Sequence, residues 1–312
     1  MSAIAAHSLR AVRTPAAPGP GPMPDGLLRA LDITIGHRVM GLLAGDYRSS
    51  APGAGTELMQ IRPYTPGDDV RQIDWNVTAR TGEPHVRVHV AERVLTTWLV
   101  LDLSPSMHFG TADRRKADVA EGVALAVGHI ATRRGNRLGV MSFGVDHATM
   151  VPPGQGRAGM LGLLEAVRRQ PVPEGQGGPS LGEAMRRVNR LSARSNLVVV
   201  GSDVRGPRDW RGPLVELAGR HPVLAAEVRD PREQELPNVG ELWLVDPETG
   251  RQLRVDTAKK KLRERFAAAA AAERAEVATD ISRTGARHVV LGTNGDWLRT
   301  FASFLLQKGD RR

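Results

Sequence analysis

The sequence predicts an α/β fold, a doubly wound and mostly parallel sheet with a small N-terminal subdomain. Two observations support this prediction. Continuous apolar runs such as Trp98–Leu101, and Leu197–Val200 within the predicted strand 196–200, are typical of strands buried on both faces of a parallel sheet. From residue 96 to residue 308, such runs alternate with segments whose apolar residues recur at helical spacing, as in the repeated βα units of a doubly wound sheet.

The composition fits a globular protein and excludes several classes. The chain has 312 residues, 41% of them hydrophobic, and no cysteine, which excludes disulfides and thiolate metal sites. No apolar run approaches the ~20 residues that cross a bilayer, and no secretory signal is evident, so we expect a cytoplasmic protein without a membrane span. The net charge of +9 raises the question of a nucleic-acid partner. Acidic residues lie between the arginines, however, so we interpret the charge as a solvated surface and expect no nucleic acid.

The segments follow in order along the chain. Residues 1–23 are rich in Pro, Ala and Gly and are predicted to be a disordered tail. Residues 24–94 are predicted to form the N-terminal subdomain, with a helix over residues 26–43 and a strand over residues 86–90. Residues 95–308 are predicted to form the α/β domain. Its predicted strands are 98–101, 138–143, 148–151, 196–200, 223–228 and 288–291, its predicted helices are 112–134, 160–167, 181–191, 259–284 and 297–306, and a β-hairpin is predicted at 241–245 and 251–255.

Oxygen-bearing side chains follow the first strand of this domain on alternate residues. They are Asp102, Ser104 and Ser106, and alternate residues of an extended backbone share a side. They come at the carboxyl end of the strand, where open α/β sheets bind ligands. One carboxylate and two hydroxyls suit a hard cation, Mg²⁺ or Mn²⁺. The alternative interpretation is a strand that ends in a structural Ser-Pro turn.

Two distant residues are expected at the same edge of the sheet. Asp203 follows a buried strand as Asp102 does, and Ser180 lies between a Gly-rich loop and a helix. If both strands are central, Asp102, Ser104, Ser106, Ser180 and Asp203 surround one point. Three hydroxyls and two carboxylates would suit an octahedral Mg²⁺ that keeps some of its waters.

A polar segment upstream of the α/β domain is a second candidate site. Its charged and aromatic residues are Arg62, Tyr64, Asp68, Arg71, Asp74, Trp75 and Arg80. They can form a surface network of ion pairs that contribute little to stability. They can also form a polar surface for a partner, because Arg, Tyr and Trp dominate interface hot spots, or an internal network that docks this segment onto the following domain. The spacing does not choose among the three.

The motif Asp102-Leu-Ser104-Pro-Ser106 resembles the metal-ion-dependent adhesion site of von Willebrand factor A domains. That site reads Asp-x-Ser-x-Ser, then a distant Thr and a distant Asp. Asp203 fits the last position, and Ser180 stands at the Thr position, where it keeps the hydroxyl and lacks the methyl group. The resemblance implies a fold of von Willebrand factor A type and a metal whose coordination is completed by a carboxylate of a partner protein.

The upstream segment is similar to a signature of the bacterial family called domain of unknown function 58. The signature, Arg-x-Tyr-x-x-Gly-Asp-x-x-Arg-x-Ile-Asp-Trp, is met by Arg62, Tyr64, Gly67, Asp68, Arg71, Ile73, Asp74 and Trp75. The resemblance covers the chain from about residue 25 to its end. It implies a MoxR-type AAA+ ATPase, or the client of one, as partner in chaperone-like maturation or stress responses. Many members carry N-terminal membrane helices, and this chain resembles the members without them.

Three classes of function are compared. A phosphotransferase or hydrolase would use Asp102 as a phosphoryl acceptor beside Mg²⁺. Aspartyl phosphotransferases of the haloacid dehalogenase type place another Asp, the general acid, two residues after the nucleophile, and Ser104 stands there. A nucleic-acid-binding protein would carry a recognition motif, and we find none. The sequence therefore favours a non-enzymatic, metal-dependent protein-binding module.

Overall fold

The described chain forms two compact units. The structure is a computed structural model that describes residues 15–24, 26, 57–90, 94–132, 136–145, 149–167, 178–192, 196–247 and 249–307. Residues 57–90 belong to one unit, and residues 15–24 with 95–307 belong to the other. Most of the predicted helix over residues 26–43 lies outside the described residues.

The smaller unit is an antiparallel strand pair with a short helix between its strands. Its elements are β1 (Glu57–Pro63), a 3-10 helix (Val70–Gln72), α1 (Trp75–Thr81) and β2 (His85–Val90), and β1 pairs with β2. The sequence predicts β2 but neither β1 nor α1. The helix lacks an apolar stripe, and its ends are set locally instead. Asp74 accepts hydrogen bonds from the first turn, and Gly82, with a φ of 76°, ends the helix.

The larger unit alternates strands and helices as predicted. Its strands are β3 (Thr96–Asp102), β4 (Arg137–Phe143), β5 (Met150–Gln155), β6 (Leu197–Ser202), β7 (Val223–Arg229), β8 (Glu241–Val245), β9 (Gln252–Asp256) and β10 (Arg287–Gly292). Its helices are α2 (Lys116–Ala131), α3 (Gly156–Val167), α4 (Leu181–Leu191), α5 (Arg211–Ala218), α6 (Lys260–Arg283) and α7 (Trp297–Leu306).

The central sheet has the order β10-β7-β6-β3-β4-β5. All neighbouring pairs are parallel except β4 and β5, which are antiparallel. The strands therefore run outward from β3 in both directions, as in doubly wound sheets, and β8 and β9 form the predicted hairpin apart from this sheet. The strand order and directions confirm the predicted doubly wound, mostly parallel α/β sheet.

Alternate residues of β3 contribute to two separate apolar cores. Leu99 and Leu101 pack in one cluster, with residues of α2, α3 and α7. Trp98 and Val100 pack in the other, with residues of α4, α5 and α6. Because successive side chains of a strand point to opposite faces, the continuous apolar run of β3 is needed to fill both layers.

Several boundaries differ from the prediction. Helix α2 begins at Lys116 rather than at residue 112, because Arg115 is extended and caps it. The edge strand β5 runs from Met150 to Gln155 and so extends past its predicted end at residue 151, whereas residue 148, its predicted start, lies outside the described residues. Helix α5 was not predicted, since Pro213 lies within its short sequence; a proline is tolerated in the first turn of a helix.

Residues 15–23 differ from the prediction of a disordered tail, which is wrong for them. The indole nitrogen of Trp297 donates to the carbonyl of Pro20 at 2.9 Å, and the backbone N–H of Ala17 donates to the carbonyl of Asp113 at 2.9 Å. Met23 packs against the first apolar core. These contacts offset the entropy of ordering the segment. Residues 1–14 lie outside the described part of the chain.

Helix length and hydropathy bear on the predicted absence of a membrane span. Within the described ranges, no helix is both long enough and apolar enough to cross a membrane.

Candidate functional site

The two candidate acids lie at the carboxyl ends of neighbouring parallel strands. Asp102 is the last residue of β3, Asp203 directly follows β6, and the two strands are paired in the sheet. Both side chains are buried, with 5% and 2% of their surface exposed. Strands β3 and β6 are neighbours in the middle of the sheet, and their register places both acids at the same edge.

Two serine hydroxyls connect the acids. The backbone N–H of Ser104 donates to Oδ1 of Asp102 at 3.0 Å, and Oγ of Ser104 lies 3.1 Å from Oγ of Ser106. The hydroxyl of Ser106 in turn forms a hydrogen bond with Asp203. A 3-10 helix over Pro105–His108 turns the chain after β3 so that Ser106 lies within hydrogen-bond distance of Asp203. Asp102, Ser104, Ser106 and Asp203 therefore form one continuous group of oxygens.

Ser180 has different contacts from the other four. Its hydroxyl donates to Oδ2 of Asp209 at 2.5 Å and accepts from the N–H of Glu183, so it caps α4. The preceding Pro179 accepts a hydrogen bond from the N–H of Gly144 at 3.0 Å. Gly144 is close enough to Ser104 that a Cβ on it would lie 2.7 Å from the Cβ of Ser104. The Ser180 loop thus borders the group, and its role as a fifth ligand remains a prediction.

The sequence analysis missed Ser202 and Lys116, which contact the group, and Glu233, which contacts Lys116. Ser202 donates to Oδ2 of Asp102 at 2.5 Å, and its position beside Asp203 was a usable signal. Lys116, with 0% of its side chain exposed, places Nζ 2.5 Å from Oδ2 of Asp203 and 2.6 Å from Oε1 of Glu233. The sequence separations of these contacts follow no local pattern, so no signal identifies Lys116 or Glu233.

The pKa values of the two acids shift in opposite directions, although burial by itself raises both. Burial, together with the charge of Asp203, raises the pKa of Asp102 to about 7. Burial would also raise the pKa of Asp203, but the charge and hydrogen bond of Lys116 outweigh it and hold that pKa below its ordinary value. Asp203 is therefore already compensated by Lys116, whereas no cationic side chain of the described residues pairs with Asp102.

The donor set fits a hard cation. Two carboxylates and the Ser104 and Ser106 hydroxyls are oxygen ligands of the kind that Mg²⁺ and Mn²⁺ prefer. In the part of the chain that the structure describes, no group of three or more His, Cys, Asp or Glu side chains can hold a metal. A cation bound here would therefore depend on the hydroxyls, and its positive charge would compensate Asp102.

A second charged network holds the backbone of Asp203. Nη1 of Arg274 donates to the carbonyl of Asp203 at 2.9 Å and to Oε1 of Glu227 at 2.8 Å. Glu227, on β7, has 0% of its side chain exposed and also pairs with Arg229 and His288. Burial by itself would raise the pKa of Glu227, but these partners outweigh it and hold the pKa at about 2. The network thus links α6 and β7 to the loop that carries Asp203.

Glu227→Gln is expected to remove a pH-dependent part of the stability. The folded-state pKa of Glu227 lies below its ordinary value of 4.5, so its contribution is complete above pH 4.5 and is lost as the pH falls toward 2. The difference in unfolding free energy between wild type and Glu227→Gln should shrink by about 2 kcal/mol between pH 5 and pH 3. Urea unfolding at both pH values measures it, with the exposed Glu241→Gln as control; a difference independent of pH would contradict the assignment.

Within the smaller unit, acids of the upstream signature pair with nearby arginines. Arg62 and Asp68 form two hydrogen bonds of 2.6 and 2.7 Å, and Nε of Arg87 donates to Asp74 at 2.9 Å. The side chains of Arg71, Arg80 and Trp75 are exposed, and Tyr64 is half-buried. The paired residues therefore hold the turn and α1 in place, and the exposed ones remain available for a partner surface.

Trp75→Ala is expected to change the unfolding free energy by less than about 0.5 kcal/mol, because 71% of Trp75 is exposed. Asp74→Ala should reduce stability more, because Asp74 caps α1 and pairs with Arg87. Urea unfolding of the two neighbouring variants makes the comparison. A large loss for Trp75→Ala would instead indicate that this tryptophan packs inside the folded protein and does not face a partner.

Solved structures similar to this chain are distant in sequence. The protein BatB from Bacteroides thetaiotaomicron has 14% identity, a TM-score of 0.44, and coverage of 68% of this chain and 97% of that chain. An aerotolerance-related membrane protein from Bacteroides fragilis has 15% identity, a TM-score of 0.45, and coverage of 68% and 96%. The SpRpn10 VWA domain has 14% identity, a TM-score of 0.36, and coverage of 68% and 94%. The fold assignment rests on the strand order and directions given above.

Sequence relatives and a family model cover most of the chain. Uncharacterized protein Rv1480 from Mycobacterium tuberculosis is 43% identical over 284 residues, which are 90% of this chain and 88% of the relative. Uncharacterized protein Mb1516 from Mycobacterium bovis has the same identity and coverage. The model of the family "Protein of unknown function DUF58" matches residues 60–276, a range that contains both candidate sites. The chain therefore belongs to the DUF58 family.

Proposed function

We propose that this protein is a non-catalytic protein-binding module whose contact with its partner depends on Mg²⁺ or Mn²⁺. The observation that carries the proposal is the continuous group of Asp102, Ser104, Ser106 and Asp203 at the strand ends, with an uncompensated charge at Asp102. Ser180 is the proposed fifth ligand. A cation held there supplies a Lewis-acid position that a carboxylate of a partner protein can occupy.

The absence of catalysis is argued from the residues beside Asp102. A phosphoryl-accepting aspartate needs a general acid to protonate the leaving group. Ser104 stands where such enzymes place that acid, and its hydroxyl lies against Ser106. The nearby Lys116 already donates to Asp203 and Glu233. These contacts suit a binding site better than a phosphotransferase or hydrolase.

The proposed partner is a MoxR-type AAA+ ATPase or its client protein, as the family resemblance implies. A partner carboxylate on the cation would form a charge-assisted and buried contact, which is strong and requires the ion. The exposed Arg71, Trp75 and Arg80 offer a second contact area of the residue types that dominate interface hot spots.

The test is capture of a purified MoxR-type ATPase by the full-length protein, with Mg²⁺ and with EDTA. EDTA should weaken capture and leave the fold intact, because most of the stability comes from the two apolar cores. Asp102→Ala should weaken capture as EDTA does. If neither EDTA nor Asp102→Ala changes the amount of ATPase captured, the proposal is contradicted. Metal-dependent turnover of a phosphate ester that Asp102→Ala eliminates would favour the enzyme instead.

A further inference from the structure

Lys116 carries a buried charge in an unfavourable position for a lysine. Its side chain has 0% of its surface exposed, and removing a charge from water is costly unless it is paired. It is also the first residue of α2, where the helix dipole disfavours a positive charge. The two short contacts to Asp203 and Glu233 must offset both costs, so these carboxylates are the reason for the position of the ammonium group.

The ammonium group joins three segments that are distant in sequence. They are the start of α2, the end of β6, and the 3-10 helix over Pro231–Glu233. Glu233 is shared with Arg205, whose Nη1 lies 3.0 Å from the same Oε1 atom. The other oxygen of Glu233 accepts a hydrogen bond from the N–H of Asp230 at 3.3 Å. Lys116 and Glu233 therefore connect the loop that carries Asp203 and Arg205 to the 3-10 helix after β7 and to the start of α2.

Both oxygens of Asp203 are already engaged. Oδ2 accepts from Lys116 at 2.5 Å, and Oδ1 accepts from the N–H of Arg205 at 3.0 Å. A divalent ion that approaches Asp203 must compete with the ammonium group for this carboxylate. The fixed positive charge also repels the ion over a short distance within a buried region, where charges interact more strongly than in water.

We propose that Lys116 is a built-in counter-cation of this site. It is a positioning residue that holds Asp203 in place before any divalent ion binds, and it lowers the affinity of the site for such an ion. The statement about affinity rests on the proposed function, whereas the statement about positioning does not. The two statements are tested by separate measurements.

Positioning is tested by thermal unfolding in EDTA. Lys116→Met keeps most of the length of the side chain, being one atom shorter, and removes the charge that pairs with Asp203 and Glu233. Its melting temperature should fall by at least about 5 °C. Lys260→Met is the matched control, because Lys260 is 81% exposed in its pair with Glu264, and it should leave the melting temperature nearly unchanged. Equal melting temperatures for the two variants would overturn the positioning role.

Affinity is tested by calorimetric titration with Mg²⁺ alone on wild type, Lys116→Met and Glu233→Gln. Lys116→Met should raise the affinity by about tenfold or more, because it removes the competing charge. Glu233→Gln should lower the affinity by about threefold or more. Without the charge of Glu233, the ammonium group of Lys116 pairs with Asp203 alone and competes more strongly with the ion. Damage to the fold would lower the affinity in both variants. Mg²⁺ affinities equal to that of wild type in both variants, or lower than wild type in both, would overturn the statement about affinity.

Two further outcomes separate this inference from the proposed function. If Lys116→Met does not fold, Glu233→Gln still tests the affinity, and unchanged or higher affinity in Glu233→Gln overturns the statement about affinity. If neither wild type nor Lys116→Met binds Mg²⁺ or Mn²⁺, the cation-dependent function and the affinity statement fall together. The melting temperatures in EDTA then still decide the positioning role.

Discussion

Asp102→Ala should abolish the binding of Mg²⁺ and Mn²⁺ in a calorimetric titration. Asp102 is a buried carboxylate that pairs with no cationic side chain of the described residues. Burial and the charge of Asp203 therefore raise its pKa, to about 7. Asp203 shares its charge with Lys116, so Asp102 contributes most of the charge that attracts an ion. Loss of outer-shell groups alone typically weakens metal sites by about 10–100-fold, and loss of this ligand should weaken binding by more than that.

Asp102→Asn and Ser180→Ala are the comparison variants for this titration. Asp102→Asn keeps the shape of the side chain and should abolish binding as Asp102→Ala does, which separates the loss of charge from the loss of packing. Ser180→Ala should weaken binding much less, because its hydroxyl must leave Asp209 to reach an ion. Unchanged affinity for Mg²⁺ in both Asp102 variants would show that Asp102 is not a ligand. It would also contradict the proposed cation-dependent contact with a partner.

The sequence predicted the large unit well because strong periodic signals determine its elements. The apolar run that ends at Asp102 must be buried on both faces, and Leu99 and Val100 do pack in separate cores. The same reasoning predicted that Asp102 and Asp203 meet, since parallel strands end at a common edge. Helix α1 gave no such signal, because its ends depend on the cap by Asp74 and on the positive φ of Gly82.

The contacts of the candidate site were predictable only where they follow from strand direction. The spacing of Ser104 and Ser106 after Asp102 predicted that their side chains share a side with it, and hydrogen bonds join the three residues in the structure. Lys116 reaches its carboxylates from another element, so its role depends on the packing of α2 and not on any local pattern. A side chain that satisfies a charge across such a distance can be identified only from the folded structure.

Gly144→Ala should destabilise the protein by about 2–4 kcal/mol, through two separate effects. Gly144 directly follows β4 with a φ of +79°, and a side chain there costs about 1 kcal/mol of backbone strain. An added Cβ would also lie 2.7 Å from Cβ and 2.8 Å from the backbone nitrogen of Ser104. Such overpacking costs about 1–3 kcal/mol, and it displaces the N–H that donates to Asp102.

Gly240→Ala is the matched control, because Gly240 also has a φ of +79° but nothing lies within 4 Å of an added Cβ. It should cost only the backbone strain, about 1 kcal/mol, and should leave cation affinity unchanged. Urea unfolding compares the two variants, and titration with Mg²⁺ measures whether Gly144→Ala alone weakens binding. If the two substitutions cost the same, the close approach of β4 to Ser104 contributes nothing to stability. If Gly144→Ala binds Mg²⁺ as wild type does, the position of Ser104 is not what the cation depends on.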